Sequence, residues 1–252
     1  MSEAFERRLA LATALGRTRR LRECAIACES LCSEAPEDVR PWRLLAWTHF
    51  ESGSLEPAIE AARRALAIDA NDADSLRVLG RSLARSGSLD EAIESLARVA
   101  TLARTRPTDD GEDEARLARV CASSERHRDE AAARVRAAVF QANTSARALH
   151  QWLRAAGTLA LDEHAERIAR ALLERAPDDP HFRASVASTM ARLGRYEEAR
   201  AHAMAAIAVA PNNVLAWTVR SMACAKLGLD EERRECEQAL RSARRAKQEP
   251  RA

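Results

Sequence analysis

The chain has 252 residues; 46% are apolar, only 4% are aromatic and eight are glycine. Alanine, leucine and arginine dominate and β-branched residues are sparse, which argues against sheets and predicts an all-α protein. A net charge of +2 gives no global signal for nucleic acid or an anionic membrane, and no apolar run approaches the roughly 20 residues of a membrane-spanning helix.

The first stretch, MSEAFERRLALATALGRTRR, carries acids early and Arg17, Arg19 and Arg20 straight after its short apolar run. It reads as the first helix of the fold rather than a secretory signal, and no lipid-attachment cysteine lies near it, so the expected location is the cytoplasm with reduced thiols. Cys24, Cys28 and Cys32 then fall at i, i+4 and i+8 on one helix face. Such a triplet could be a soft-metal or redox site. The competing reading, which we adopt, is core packing, because buried cysteine behaves as a small apolar residue. Cys121, Cys224 and Cys236 are isolated and are read the same way.

Further along, three stretches resemble one another: 52–72 (SGSLEPAIEAARRALAIDAND), 86–103 (SGSLDEAIESLARVATLA) and 193–213 (LGRYEEARAHAMAAIAVAPNN). Gly53 to Gly87 is 34 residues, and so is Gly194 to Gly228. Units of 34 residues tile the chain as 5–38, 39–72 and 73–106, then 112–145, 146–179, 180–213 and 214–247. A short break at 107–111 separates the two runs, and 248–252 is a tail. The acids Asp109, Asp110, Glu112, Asp113 and Glu114 lack calcium-loop spacing and are read as a favourable helix N-terminus. A sharper possibility is that this loop competes with a ligand.

Each unit reads as two helices. Position 20 is small in six units: Cys24, Ala58, Ala92, Ala131, Ala165 and Ala199. Position 8 is small at Ala12, Ala46, Gly80 and Ala187, and larger apolar residues recur at helical spacing (Trp42, Leu45; Leu76, Leu79, Leu83; Leu149, Trp152). Position 15 is glycine in four units, suiting a helix C-terminus, and position 32 is Pro36, Pro177 and Pro211, where the second helix must stop.

These residues resemble the tetratricopeptide pattern W-x2-L-G-x2-Y followed by A, F, A and P. The resemblance covers 39–106 and 146–213 best. Unit 112–145 departs from it with Arg119 at a small position and is a degenerate helix pair or a joint, and the last unit carries Arg220, Arg233 and Glu237 at core positions, as a capping unit would. The resemblance implies an α-solenoid of about seven antiparallel helix pairs, forming a superhelix with a concave groove, and a non-catalytic protein-binding scaffold or adaptor in a bacterial-style cytoplasm.

No enzyme motif contradicts this. There is no CxxC or HExxH, no G-x-S-x-G, no phosphate-cradling glycine loop and no dinucleotide fingerprint, and His49, His127, His150, His164, His181 and His202 form no motif. We expect no enzyme activity, cofactor or metal. In the resembling family, positions 2, 5, 6, 9, 12 and 13 line the groove. In the four central units they hold Arg40, Arg43, Arg77, Arg81, Arg85, Arg116, Arg147 and Arg154, against the acids Glu51, Asp74 and Asp113. Trp47, Phe50 and His150 fall on them too, and exposed large apolar residues mark binding surfaces. The expected ligand is a protein or peptide segment with acidic residues or a free C-terminus, gripped by guanidinium forks. The two-carboxylate clamp of some family members is missing, since its positions hold Leu9, Thr13, Leu44, Asp74 and Val78. The alternatives are a cytoplasmic accessory subunit or chaperone of a secretion or pilus assembly and, against the near-neutral charge, nucleic-acid binding. Oligomeric state is not legible.

Overall fold

In a computed structural model the structure describes residues 2–104, 110–141 and 143–248. The described residues form fourteen α-helices and no strand. The first helices of successive pairs are α1 (Glu3–Arg17), α3 (Val39–Ser52), α5 (Ala73–Ser86), α7 (Glu112–Ala122), α9 (Ala146–Thr158), α11 (Pro180–Arg192) and α13 (Val214–Leu227). The second helices are α2 (Leu21–Glu34), α4 (Leu55–Ile68), α6 (Leu89–Arg104), α8 (Arg128–Ala137), α10 (Asp162–Arg175), α12 (Tyr196–Val209) and α14 (Asp230–Gln248). Every second helix starts at position 17 of its 34-residue stretch, and every first helix after α1 starts at position 1. No helix among the described residues is long and apolar enough to cross a membrane.

Two compact units divide the chain. One comprises Met1–Asp109 with Ser123–Arg128, the other Asp110–Ala122 with Asp129–Ala252. In unit 1 each helix from α1 to α6 packs on the next, and the first helices also touch, α1 on α3 and α3 on α5. In unit 2 the same stacking runs from α9 to α14, and α7 packs directly on α9.

Local chemistry sets these boundaries. Ser2, Asp38, Asp72, Ser145, Asp179 and Asn213 cap first helices, each side chain accepting a backbone N–H of the first turn. Five of the six occupy position 34, directly before the helix. At position 15 the backbone turns left-handed in each of six units. Glycine supplies it at Gly53, Gly87, Gly194 and Gly228, whereas Arg19 (φ 62°) and Ala160 (φ 54°) adopt it with a side chain. A periodic staple joins successive pairs in addition: Trp42 Nε1 donates to the Pro36 carbonyl at 3.0 Å and Trp217 Nε1 to that of Pro211 at 2.7 Å, while Arg183 Nε donates to that of Pro177. A donor at position 4 thus satisfies the proline carbonyl left open where the preceding helix ends.

The core follows the small-residue register. Cys24, Ala58, Ala92, Ala131, Ala165 and Ala199 are all fully buried, which lets paired helices approach. All six cysteines are free thiols and buried. Cys24 Sγ lies 3.2 Å from the Ala12 carbonyl and 3.2 Å from Thr48 Oγ1, so it ties α2 to α1 and α3. Burial pushes the Cys28 thiol up, and the Cys32 thiol to about 12, far from thiolate reactivity. The triplet is packing.

Candidate functional site

The first helices of unit 1 enclose a cavity of about 440 Å³. Its walls are Leu9 and Thr13 of α1, Arg40, Arg43, Leu44 and Trp47 of α3, and Asp74, Arg77, Val78 and Arg81 of α5. Trp47 is half-buried, and a Cβ added at Gly16 would meet its Cζ3 at 3.0 Å, so this glycine makes room for the indole against α1. Leu9, Leu44 and Val78, three of the five positions named above for the missing clamp, supply aliphatic surface in the same cavity as the indole.

The arginines around this cavity are largely engaged. Arg40 bridges Glu6 at 3.0 Å and Asp38 at 2.7 Å. Its hydrogen bond to Asp38 holds that carboxyl below the usual carboxylate range. Arg43 pairs with Asp72 at 3.0 Å, and Arg77 with Asp74 at 2.8 Å. Arg81 and Arg85 stack their guanidiniums over the Phe50 ring, 4.2 and 5.1 Å from its centroid. This corrects one expectation. Phe50 is only 5% exposed and offers no apolar surface to solvent, because two arginines of the next repeat cover it. Five of the ten expected site residues therefore surround one cavity (Arg40, Arg43, Trp47, Arg77 and Arg81), with Arg85 beside it on the covered ring.

Arg147, His150 and Arg154 belong to unit 2 and its own face. There α9, α11 and α13 enclose a cavity of about 580 Å³, lined among others by His150, Leu153, Arg154, His181, Ser185, Ser188, Arg192 and Leu215. His150 Nε2 lies 2.8 Å from Ser185 Oγ, and its ring sits 5.2 Å from that of Phe182. Burial, with Arg154 and His181 nearby, lowers the His150 pKa from 6.5 to about 4, so the imidazole is neutral at physiological pH. Arg147 and Arg154 are exposed.

Arg116 and Asp113 do not point into a groove as expected. Asp113 is buried, and the Arg116 side chain is 11% exposed and paired with Glu112. Both lie on α7, which packs against α9. In the acidic run, Glu114 pairs with Arg134 of α8 and Asp110 accepts the Glu112 N–H, while Asp109 lies outside the described residues. Those contacts fit the helix-N-terminus reading of the run.

Sequence reasoning missed His181, Ser185, Ser188, Arg192 and Leu215. A signal existed, because these are the same groove positions carried into the next two 34-residue stretches. No cluster of three or more histidine, cysteine or acidic side chains with metal-binding geometry occurs among the described residues.

Comparison with known proteins accords with this geometry. The family model of the tetratricopeptide repeat matches residues 39–72, which are the helix pair α3–α4. The helix pair at 39–72 is a tetratricopeptide repeat. No curated protein sequence matches it. Among solved structures it is similar to PilW, a widely conserved type IV pilus biogenesis factor (TM-score 0.60, 15% identity, covering 96% of this chain and 94% of that one). It is similar also to a tetratricopeptide repeat protein from Parabacteroides merdae (TM-score 0.61, 12% identity, 87% and 84% covered). A third is Pseudomonas aeruginosa pilF (TM-score 0.54, 14% identity, 96% and 89% covered). At these identities the likeness is one of fold. In such a fold the stacked repeats present long side-chain-lined surfaces.

Proposed function

We propose that this tetratricopeptide chain is a non-catalytic, cytoplasmic adaptor that takes an extended partner segment on the first-helix face of unit 1. The observation that carries this reading is the cavity where Trp47, Leu44, Val78 and Leu9 form an aliphatic-aromatic floor bordered by Arg40, Arg43, Arg77 and Arg81. An anchored apolar side chain contributes most of the energy in such a contact, and the guanidinium rim supplies orientation and charge selection. The rim favours a segment whose carboxylate, from an acidic side chain or a free C-terminus, displaces Asp74 or joins Arg81 and Arg85.

Twelve-residue peptides selected from a displayed random library against the full chain test this. They are expected to lose at least tenfold in affinity for Trp47→Ala and for Arg77→Glu/Arg81→Glu while the circular dichroism stays unchanged. Equal binding by these variants would discard unit 1 as the site. The accessory role in a pilus or secretion assembly draws only on the fold shared with pilF and with PilW, a type IV pilus biogenesis factor. Nucleic-acid binding at this face gains no support, since Arg40, Arg43 and Arg77 already hold carboxylates.

A further inference from the structure

The first-helix face of unit 2 differs in charge from that of unit 1. Its eighteen groove positions, six each from the stretches 146–179, 180–213 and 214–247, include Arg147, Arg154, Arg192 and Lys226 and not one acid. Arg192 pairs with Asp162, which lies on α10. Arg147, Arg154 and Lys226 are exposed and make no salt bridge among the described residues. On unit 1 the comparable arginines are held by Glu6, Asp38, Asp72 and Asp74. The sequence alone places the richer arginine cluster on unit 1; the pairing pattern moves the uncompensated charge to unit 2.

Apolar surface accompanies that charge. Leu215 lines the unit 2 cavity and is 42% exposed, and Met222, two helical turns further along the same side of α13, is 43% exposed. Large aliphatic side chains left exposed on one side of a helix mark a contact surface. The cavity wall is hydroxyl-rich, with Ser185, Ser188 and Thr189 beside Arg154 and Leu215.

We propose that this face binds an extended protein segment in which aspartates or glutamates flank one or two aliphatic residues, the acids meeting Arg147, Arg154 and Lys226 and the aliphatic side chain seating on Leu215. The proposal rests on the scaffold reading and assigns it a second, chemically distinct face. Cations spread over α9 and α13 fit several side-chain carboxylates better than one terminal carboxylate. The exposed Leu215 and Met222 favour a peptide over a phosphate backbone, which would leave them uncovered.

The test is a titration of the full chain with acetyl-Glu-Asp-Leu-Leu-Asp-Glu-amide, followed by amide chemical shifts. The control peptide replaces every acid by its amide. Saturable shifts confined to α9, α11 and α13 are expected, weakening at least tenfold in Arg147→Glu/Arg154→Glu, severalfold in Lys226→Glu and with rising salt. They should be unaffected by Trp47→Ala, and all these positions are at least partly exposed, so the fold should persist by circular dichroism. Equal binding of the amide control, or tighter binding of a twelve-nucleotide oligothymidylate that the peptide fails to displace, overturns the proposal. Shifts only on α1, α3 and α5 overturn it and leave the scaffold reading of unit 1 standing. Absence of any binding overturns it as well, and the library-selected peptides then decide the scaffold reading separately.

Discussion

At position 15 the chain must turn left-handed to bring the second helix back on the first, and four glycines do so at no steric cost. Arg19 and Ala160 do it against their Cβ, at a cost on the order of 1 kcal/mol each. Ala160→Gly and Arg19→Gly are therefore expected to raise stability, by up to about 1 kcal/mol each in urea unfolding, less the entropy that glycine adds to the unfolded chain. A drop in stability would show that the turn is not strained there. The imidazole of His150 makes a second residue-scale prediction. Its folded pKa of about 4 lies below the ordinary 6.5, so the unfolded chain binds the proton more readily. The stabilisation is complete above pH 6.5 and is lost as pH falls towards 4. Between pH 7 and 5 the wild type should lose on the order of 1–2 kcal/mol more than His150→Gln, measured by denaturant unfolding at each pH. Parallel pH profiles would contradict the assigned burial. The periodic glycines were legible in the sequence; the left-handed Arg19 and Ala160 were not, because only the repeat register, and not their residue type, demands that conformation.

Helices pack at the closeness their smallest side chains allow. A Cβ at Gly80 would lie 2.7 Å from Leu96 Cγ and 3.2 Å from the Ala92 carbonyl, with Leu96 itself fully buried. Gly157, in contrast, has nothing within 4 Å of such a Cβ. Gly80→Ala should destabilise by about 1–2 kcal/mol, because overpacking α5 against α6 exceeds the roughly 1 kcal/mol gained in helix propensity. Gly157→Ala keeps that propensity gain and should stabilise by up to about 1 kcal/mol. Thermal unfolding of the two variants decides it: equal signs would contradict the packing account. The helix pairs were readable because one small residue at position 20 recurs through six units. The burial of Phe50 was not, because what covers it comes from Arg81 and Arg85, one repeat away. Nor was the direct packing of α7 on α9, which buries Asp113 and withdraws Arg116 from any groove.

For the whole molecule, stacking of helix pairs is a way to expose many first-helix side chains in register without spending them on the core. Arg40, Arg43, Arg77 and Arg81 stood out as a count of like charges. Counting could not reveal that Glu6, Asp38, Asp72 and Asp74 answer three of them, nor that the acid-free positions beyond residue 179 leave unit 2 the more electropositive. In the function proposed above, the first helices recognise the partner and the second helices serve as support. Amide hydrogen exchange of the full chain, with and without a saturating library-selected peptide, tests this most directly. Protection is expected on the exposed faces of α1, α3 and α5, or of α9, α11 and α13. Protection confined to α2, α4, α10 and α12 would contradict it.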